Sequence, residues 1–276
     1  MARKRKADGR TPRRTLWWRT LIAIAVCGAA VGGVAVYRAC SDTADTERPV
    51  TMDEASRLAL SRLNLYQASP VKVVLTATEG AAVVVRVEGV VDYRTHRAVG
   101  SYEVTGASGP SKAATPAAGR LDRGLIVWDT GGLGLAPAPE GDDGPPWKLA
   151  GHIPRSGWSP RSYTSDPLDA GLQLLIGLGA DRPDNPLLLA QSGARLLGSD
   201  RIDGRAYERF AGPRAQGATP GTGPDEGRSP LTYWVDADGG LRRVTMRMPG
   251  LGTPTSVEFS GRDGRAKLPG APWGSG

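Results

Sequence analysis

Cysteine, histidine and phenylalanine are nearly missing from this chain, at two residues each among 276. Cys27 lies inside an apolar run and Cys40 just beyond it, so everything after residue 50 is free of cysteine and cannot form an internal disulfide. The segment from Thr51 to Gly276, about 226 residues, is long enough to bury one large hydrophobic core without such staples. His96 falls in a turn-like stretch and His152 in Gly-His-Ile-Pro, and neither has a partner signature. No Gly-x-Ser-x-Gly, His-Glu-x-x-His or Cys-x-x-Cys occurs, which removes the usual nucleophile-elbow, zinc-protease and dithiol chemistries. Metal clusters need more histidine or cysteine than is present. The expectation is a protein that is not an enzyme and uses no cofactor and no metal. A triad assembled from distant residues is the form of catalysis that this inventory leaves open.

Charge is almost as sparse where a nucleic-acid binder would need it. The chain carries a formal +7 from 35 bases and 28 acids, and eight of those bases against one acid, Asp8, lie in residues 1–19. The rest of the chain is charge-balanced, so no basic surplus remains to track phosphates and no nucleic-acid partner is expected. The basic cluster directly precedes Thr20 to Tyr37, TLIAIAVCGAAVGGVAVY, which has no charged residue. Eighteen residues at about 1.5 Å of helical rise reach about 27 Å, close to the hydrocarbon thickness of a bilayer. Lys and Arg hold the end they flank in the cytoplasm, and Trp17 and Trp18 fall at the interfacial belt. The expected arrangement is a basic cytoplasmic tail (1–19), a single transmembrane anchor (20–37), a polar linker (38–50), an extracytoplasmic domain (51–260) and a disordered tail (261–276).

Three other readings of the N-terminus fit less well. A cleaved signal peptide lacks its small-x-small site in VAVYRAC. A lipoprotein cysteine needs a small-residue context that neither Val26-Cys27 nor Tyr37-Arg38-Ala39-Cys40 supplies well. Arg13-Arg14-Thr15-Leu16-Trp17 resembles a twin-arginine core, with Pro12 where Ser or Thr is preferred. An uncleaved anchor fits best, and it places the protein in the cell membrane with its C-terminal domain outside.

The domain opens with Thr51-Met52-Asp53-Glu54, a capping box that starts a helix with Met52, Ala55, Ala59, Leu63 and Tyr66 at helical spacing and Pro70 as its stop. Val71 to Thr78 and Ala82 to Val91 then read as a hairpin, followed by strands at Ala98 to Val104 and Gly124 to Asp129. GASGPSKAATPAAG between them reads as a surface loop. Gly131-Gly132-Leu133-Gly134 lacks the third glycine of a dinucleotide fingerprint and the Lys-Ser/Thr of a P-loop, so it reads as a turn. Asp166-Pro167 and Asn185-Pro186 are two start signals of one kind, a cap followed by proline at the first helical position. The first opens the nearly all-apolar helix through Leu168, Leu172, Leu174, Leu175, Ile176 and Leu178, and the second opens Leu187, Leu188, Leu189 and Ala190. Asp203-Gly204 joins another hairpin. Leu231 to Val235 alternates Leu231, Tyr233 and Val235 against Thr232 and Trp234, and its partner alternates Val244, Met246 and Met248 against Arg243, Thr245 and Arg247, giving one dry and one wet face. The Asp236-Ala237-Asp238-Gly239 turn lacks the late acid of a calcium loop, where Arg247 stands. Thr255 to Ser260 is a last strand.

This order of a capped helix, a meander containing GVVDYRTHRAVGSYEV, a helical insert around NPLLLAQSGARLLGSDRIDGRAYERF and the YWVDADGGLRRVTMRM hairpin resembles the LolA-like group. That group includes the LppX and LprG type of envelope lipoproteins and the RseB/MucB sensor domains. The resemblance is to an arrangement of elements over most of Thr51 to Ser260. It implies an α+β fold, a strongly curved antiparallel half-barrel sheet covered on its concave face by helices, with an apolar cavity for acyl chains between them. The implied function is a membrane-anchored domain that binds an acyl lipid or lipoprotein and holds it, hands it over or senses it. The group's lipid-attachment cysteine has no convincing counterpart here, and a chain fixed in the membrane does not carry cargo over long distances. The expected cavity residues are Trp128, Leu172, Leu175, Leu178, Leu188, Leu189, Tyr233, Val235 and Met246. The alternative is a ligand-free envelope scaffold or regulatory interaction domain built on the same sheet.

Overall fold

The computed structural model describes residues 47–80, 82–106, 122–139, 144–213, 229–270 and 272. The basic tail, the apolar run 20–37, both cysteines, linker residues 38–46 and the centres of the two long polar loops (107–121 and 214–228) lie outside the described residues. Among the described residues no helix is long and apolar enough to cross a membrane.

Helix α1, Met52–Ala68, begins where the capping box places it. The Thr51 hydroxyl accepts from the Glu54 amide at 3.3 Å and the Glu54 carboxylate accepts from the Thr51 amide at 2.8 Å. Two of the donors that every helix N-terminus leaves unpaired are satisfied in this way. Ala55, Leu58, Ala59 and Leu65 turn inward, spaced at the three-to-four residue interval of one helix face.

The strands are β1 (Arg48–Pro49), β2 (Val71–Glu79), β3 (Val83–Asp92), β4 (Arg97–Thr105), β5 (Arg123–Asp129), β6 (Leu133–Ala136), β7 (Ser159–Arg161), β8 (Arg195–Ile202), β9 (Arg205–Ala211), β10 (Leu231–Val235), β11 (Leu241–Met246) and β12 (Thr255–Arg262). They form one open antiparallel sheet of twelve strands in the order β1-β8-β9-β10-β11-β12-β2-β3-β4-β5-β6-β7. The two halves join where β12 lies against β2, with Val257 opposite Leu75 and Phe259 opposite Val73. Both edges are blunted, because β1 has two residues and β7 three, and each contains a proline, Pro49 and Pro160, that withholds a ladder donor. The hairpin turns follow the sequence signals. Asp203 and Gly204 both take positive φ, 51° and 78°, the requirement of the turn that matches strand twist.

Each face of the sheet has its own core. On one face, Val71, Val73, Leu75 and Ala77 of β2, Val85, Val87 and Val91 of β3, Ile126 and Trp128 of β5, and Phe210, Val235, Val244, Val257 and Phe259 of the C-terminal strands form one continuous cluster. Helix α1 and helix α3 (Pro167–Gly177), together with its continuation to Leu178, contribute to that cluster. The alternate residues of β4 and β5, Val99, Leu125 and Val127, point the other way and meet Leu149 and Ala150 of helix α2 (Pro146–His152) and Trp158. The period of two that defines a strand thus feeds two cores. Helix α4 (Pro186–Gln191) is short and packs beside α1.

Five features differ from the sequence reading. Residues 146–160, to which the sequence reading gives no helix, contain α2 and cover the second face, so helices occupy both sides of the sheet. The Gly131 to Gly134 turn runs straight into β6, since Asp129 Oδ1 accepts from the amides of Gly131 and Gly132 and folds the chain back. The linker ends in β1, because Arg48 and Pro49 pair with Leu196 and Arg195, partners remote in sequence. At the other end β12 runs past Ser260 to Arg262, the Asp263 amide donates to the Pro70 carbonyl at 2.8 Å and Ala266 is buried, so residues 261–266 are part of the fold. Trp234 also departs from the wet face assigned to it. It is nearly buried, donates from Nε1 to Asp200 at 2.8 Å, and carries the Arg243 guanidinium 5.6 Å above its ring.

Candidate ligand cavity

A cavity of about 440 Å³ opens between α1, the C-terminal end of α3, the segment 184–192 that contains α4, and β10. Its apolar lining is Leu58, Leu174, Leu178, Leu188, Leu189, Pro213 and the ring of Tyr233, and its polar lining is Ser61, Arg62, Asp184, Asn185 and Ser192. The volume falls within the range of about 300–1,000 Å³ usual for small-molecule sites, and a mostly apolar wall with a few convergent polar groups is their usual chemistry.

Arg62 holds the polar end together. Its Nε donates to the Leu178 carbonyl at 3.1 Å, Nη2 to the Gly177 carbonyl at 3.2 Å and Nη1 to Asp184 Oδ1 at 3.0 Å. The last carbonyls of a helix have no partner within the helix and carry partial negative charge, so a guanidinium at the end of α3 is electrostatically well placed. The same connection is fastened through the backbone: the Ala180 amide donates to the Arg62 carbonyl and the Asp184 amide to the Ala59 carbonyl, both at 3.1 Å. Asn185 caps α4 by accepting from the amides of Leu187 and Leu188. That cap aims the helix so that Leu187 and Leu188 stand 52% and 61% exposed, with Leu188 on the cavity lining.

Tyr233 reaches the cavity from β10. Its ring passes close to Gly212, where a Cβ would stand 2.9 Å from Cε2. Burial pushes its phenol up to about 12, with Arg62 pulling down and Asp184 pushing up, so the hydroxyl stays protonated at any physiological pH.

The nine residues expected from the sequence divide unevenly. Leu178, Leu188, Leu189 and Tyr233 line this cavity. Trp128, Leu172, Leu175 and Val235 are sealed in the main core, each at 1% exposure or less, and Met246 is half-buried on β11 outside the lining. Leu175 faces the sheet because it sits on the same side of α3 as Leu172 and Ile176, whereas Leu174 and Gly177 look toward α1. Sequence reasoning did not single out Arg62, Asp184 or Ser61. A pair of orphan carbonyls at the end of the apolar helix was the available signal that a cation is wanted there. Neither His96 nor His152 lines the cavity.

Three other polar clusters are built for the fold. Asp169 is fully buried near the start of α3 and accepts from both Nη atoms of Arg161, from the Thr164 amide at 2.7 Å and from the Thr164 hydroxyl. Burial works against its charge, but these donors outweigh it and hold the carboxyl below its usual range. Glu54 is lowered to about 2, first by the Arg48 guanidinium and then by Thr51, against burial. The Asp236 carboxylate closes its own turn, accepting from the amides of Asp238 and Gly240.

No family model matches the chain, and no curated protein matches it. Among solved structures it is similar to an uncharacterized conserved protein from Thermus thermophilus, at 11% identity and a TM-score of 0.32 over 74% of this chain and 83% of that one. It is also similar to a LolA superfamily protein from Nitrosomonas europaea, at 9% identity and a TM-score of 0.24 over 76% and 92%. A third likeness is to a domain provisionally named for outer membrane lipoprotein sorting, from Vibrio parahaemolyticus, at 9% identity and a TM-score of 0.19 over 69% and 82%. At these scores the likeness carries no functional weight.

Proposed function

We propose that this chain is a single-pass membrane protein whose extracytoplasmic domain holds an acyl lipid or lipoprotein chain in the cavity between α1, α3, α4 and β10, and hands it over or senses it. The observation that carries this reading is the cavity itself: a space of about 440 Å³ with a largely apolar wall and one exposed leucine, Leu188, on its lining. Leu188, 61% exposed on the lining, forgoes part of the about 1.5–3 kcal/mol that full burial of a leucine gives, an arrangement that an apolar ligand entering there would reverse. The LolA-like order of elements read from the sequence implies the same use. The membrane setting rests on the uncharged run 20–37 behind eight basic residues.

Solvent extraction of the purified full-length protein, followed by mass spectrometry, should recover an acyl lipid in near-stoichiometric amount. Protein that carries no acyl compound and takes none up from lipid vesicles would leave the scaffold alternative in its place. The topology has a separate check: protease added to wall-stripped intact cells should digest the C-terminal domain. Digestion only after lysis would reverse the orientation.

A further inference from the structure

The polar end of the cavity is neutral, and its groups are occupied with one another. Among the described residues its lining carries one cation, Arg62, and one anion, Asp184, and the two are paired at 3.0 Å. The remaining bonds of Arg62 go to the Gly177 and Leu178 carbonyls. The Ser61 hydroxyl donates to the Leu58 carbonyl at 2.7 Å and the Ser192 hydroxyl to the Leu189 carbonyl at 2.9 Å, while Asn185 Oδ1 is used as a helix cap. The Tyr233 hydroxyl, like the Asn185 amide nitrogen, has no hydrogen bond to the protein among the described residues, and it lies in the electrostatic reach of both Arg62 and Asp184. Such a wall offers neutral donors and acceptors, with the Tyr233 hydroxyl free to act as either, and no uncompensated charge.

We infer that the cavity selects a neutral single-chain amphiphile, one acyl chain ending in an uncharged ester- or hydroxyl-bearing head, with the Tyr233 hydroxyl as its polar contact. The inference rests on the acyl-holding function proposed above and adds the class of head group and the number of chains. A carboxylate or phosphate head brought to this end would need a cation that is already committed to Asp184 and to two helix carbonyls. Its desolvation would go uncompensated. An ester carbonyl or hydroxyl asks for one hydrogen bond, which Tyr233 supplies. Size limits the tail. A cavity of about 440 Å³ lies toward the lower end of the range of about 300–1,000 Å³ for small-molecule sites, which suits one chain better than two.

The test uses full-length protein in nanodiscs doped at equal mole fraction with diazirine-bearing palmitate or diazirine-bearing monopalmitoylglycerol, photolysed at pH 8 and mapped by peptide mass spectrometry. Monopalmitoylglycerol should label the segments around Leu174, Leu188 and Tyr233 about tenfold more than palmitate, the ratio expected for about 1.4 kcal/mol of discrimination. Tyr233→Phe should reduce that labelling severalfold with the melting temperature unchanged. Asp184→Asn frees the charge of Arg62 and should invert the preference toward palmitate. Equal or stronger labelling by palmitate in the native protein would overturn the inference while leaving an acyl-holding function intact. An unchanged preference in Asp184→Asn would overturn it as well, since the neutrality of the wall would then not be the cause. Cavity labelling by neither probe would remove the acyl-holding function and this inference together.

Discussion

Two arginine–aspartate pairs in this protein use the same groups for different ends. Arg161 meets Asp169 at the start of α3, and Arg62 meets Asp184 beyond its other end. Asp169 is at 0% side-chain exposure and accepts four donors, whereas Asp184 is about one-third exposed and accepts one from Arg62. The first pair is part of the core and fixes where α3 begins. The second closes the wall of a cavity and leaves room beside it. Burial and the number of donors, rather than residue type, decide whether such a pair serves the fold or the site.

The contrast can be broken most sharply at Asp169. Asp169→Ala removes the shared acceptor of the Thr164 amide, the Thr164 hydroxyl and the Arg161 guanidinium, and should cost about 3 kcal/mol in a urea melt. Asp184→Ala exposes an arginine that water already reaches, so it should cost no more than about 1 kcal/mol. Equal costs would mean that the two pairs are energetically alike and that the division drawn here is wrong.

Acid should reveal the same division through Glu54. Its folded value, about 2, lies below the ordinary 4.5, so the folded state prefers the ionised form. The stability this contributes is present above pH 4.5 and is lost as pH falls toward 2. The lowered carboxyl of Asp169 acts in the same direction. Urea midpoints measured from pH 6 down to pH 2 should therefore drop steeply. In Glu54→Gln the midpoint should start lower and fall less across that window, and an unchanged acid slope would show that the Arg48 and Thr51 contacts contribute little.

Local signals in the sequence carried far. The capping box at Thr51, the Asp166-Pro167 and Asn185-Pro186 starts and the Asp203-Gly204 turn all stand where the residues place them, because each rests on chemistry within four positions. Strands β6 and β7 and helix α2 were not legible. Leu133–Ala136 and Ser159–Arg161 are too short to show a period, and they become strands only through neighbours in the sheet. The cavity was half legible for the same reason. A capped apolar helix disclosed Leu188 and Leu189, and strand alternation disclosed Tyr233. Arg62 and Asp184 meet across 122 positions, and no window of sequence contains both. The uniformly apolar α3 gave no sign of which side met the sheet, so Leu175 read as cavity and Leu174 did not.

The finest test of where fold ends and site begins uses two glycines, Gly177 and Gly179. A Cβ at Gly179 would stand 2.3 Å from the ring of Tyr93, which is fully buried against it. Real side chains do not approach so closely, so the ring or the backbone has to shift, and overpacking of this kind costs about 1–3 kcal/mol. Gly179→Ala should lower the urea midpoint accordingly. At Gly177 a Cβ meets nothing within 4 Å, because the residue ends α3 on the cavity lining. Gly177→Ala should be neutral or should stabilise by up to about 1 kcal/mol, since the helix no longer carries glycine's conformational freedom. Gly177→Leu goes further by placing a side chain in the space reserved for an acyl tail. Its stability should match that of the alanine variant while co-purified or photolabelled acyl ligand falls severalfold. A Gly177→Leu protein that keeps its full complement of ligand would place the ligand somewhere other than this cavity, and one that unfolds would show that the space beside Arg62 is too small to hold even one leucine.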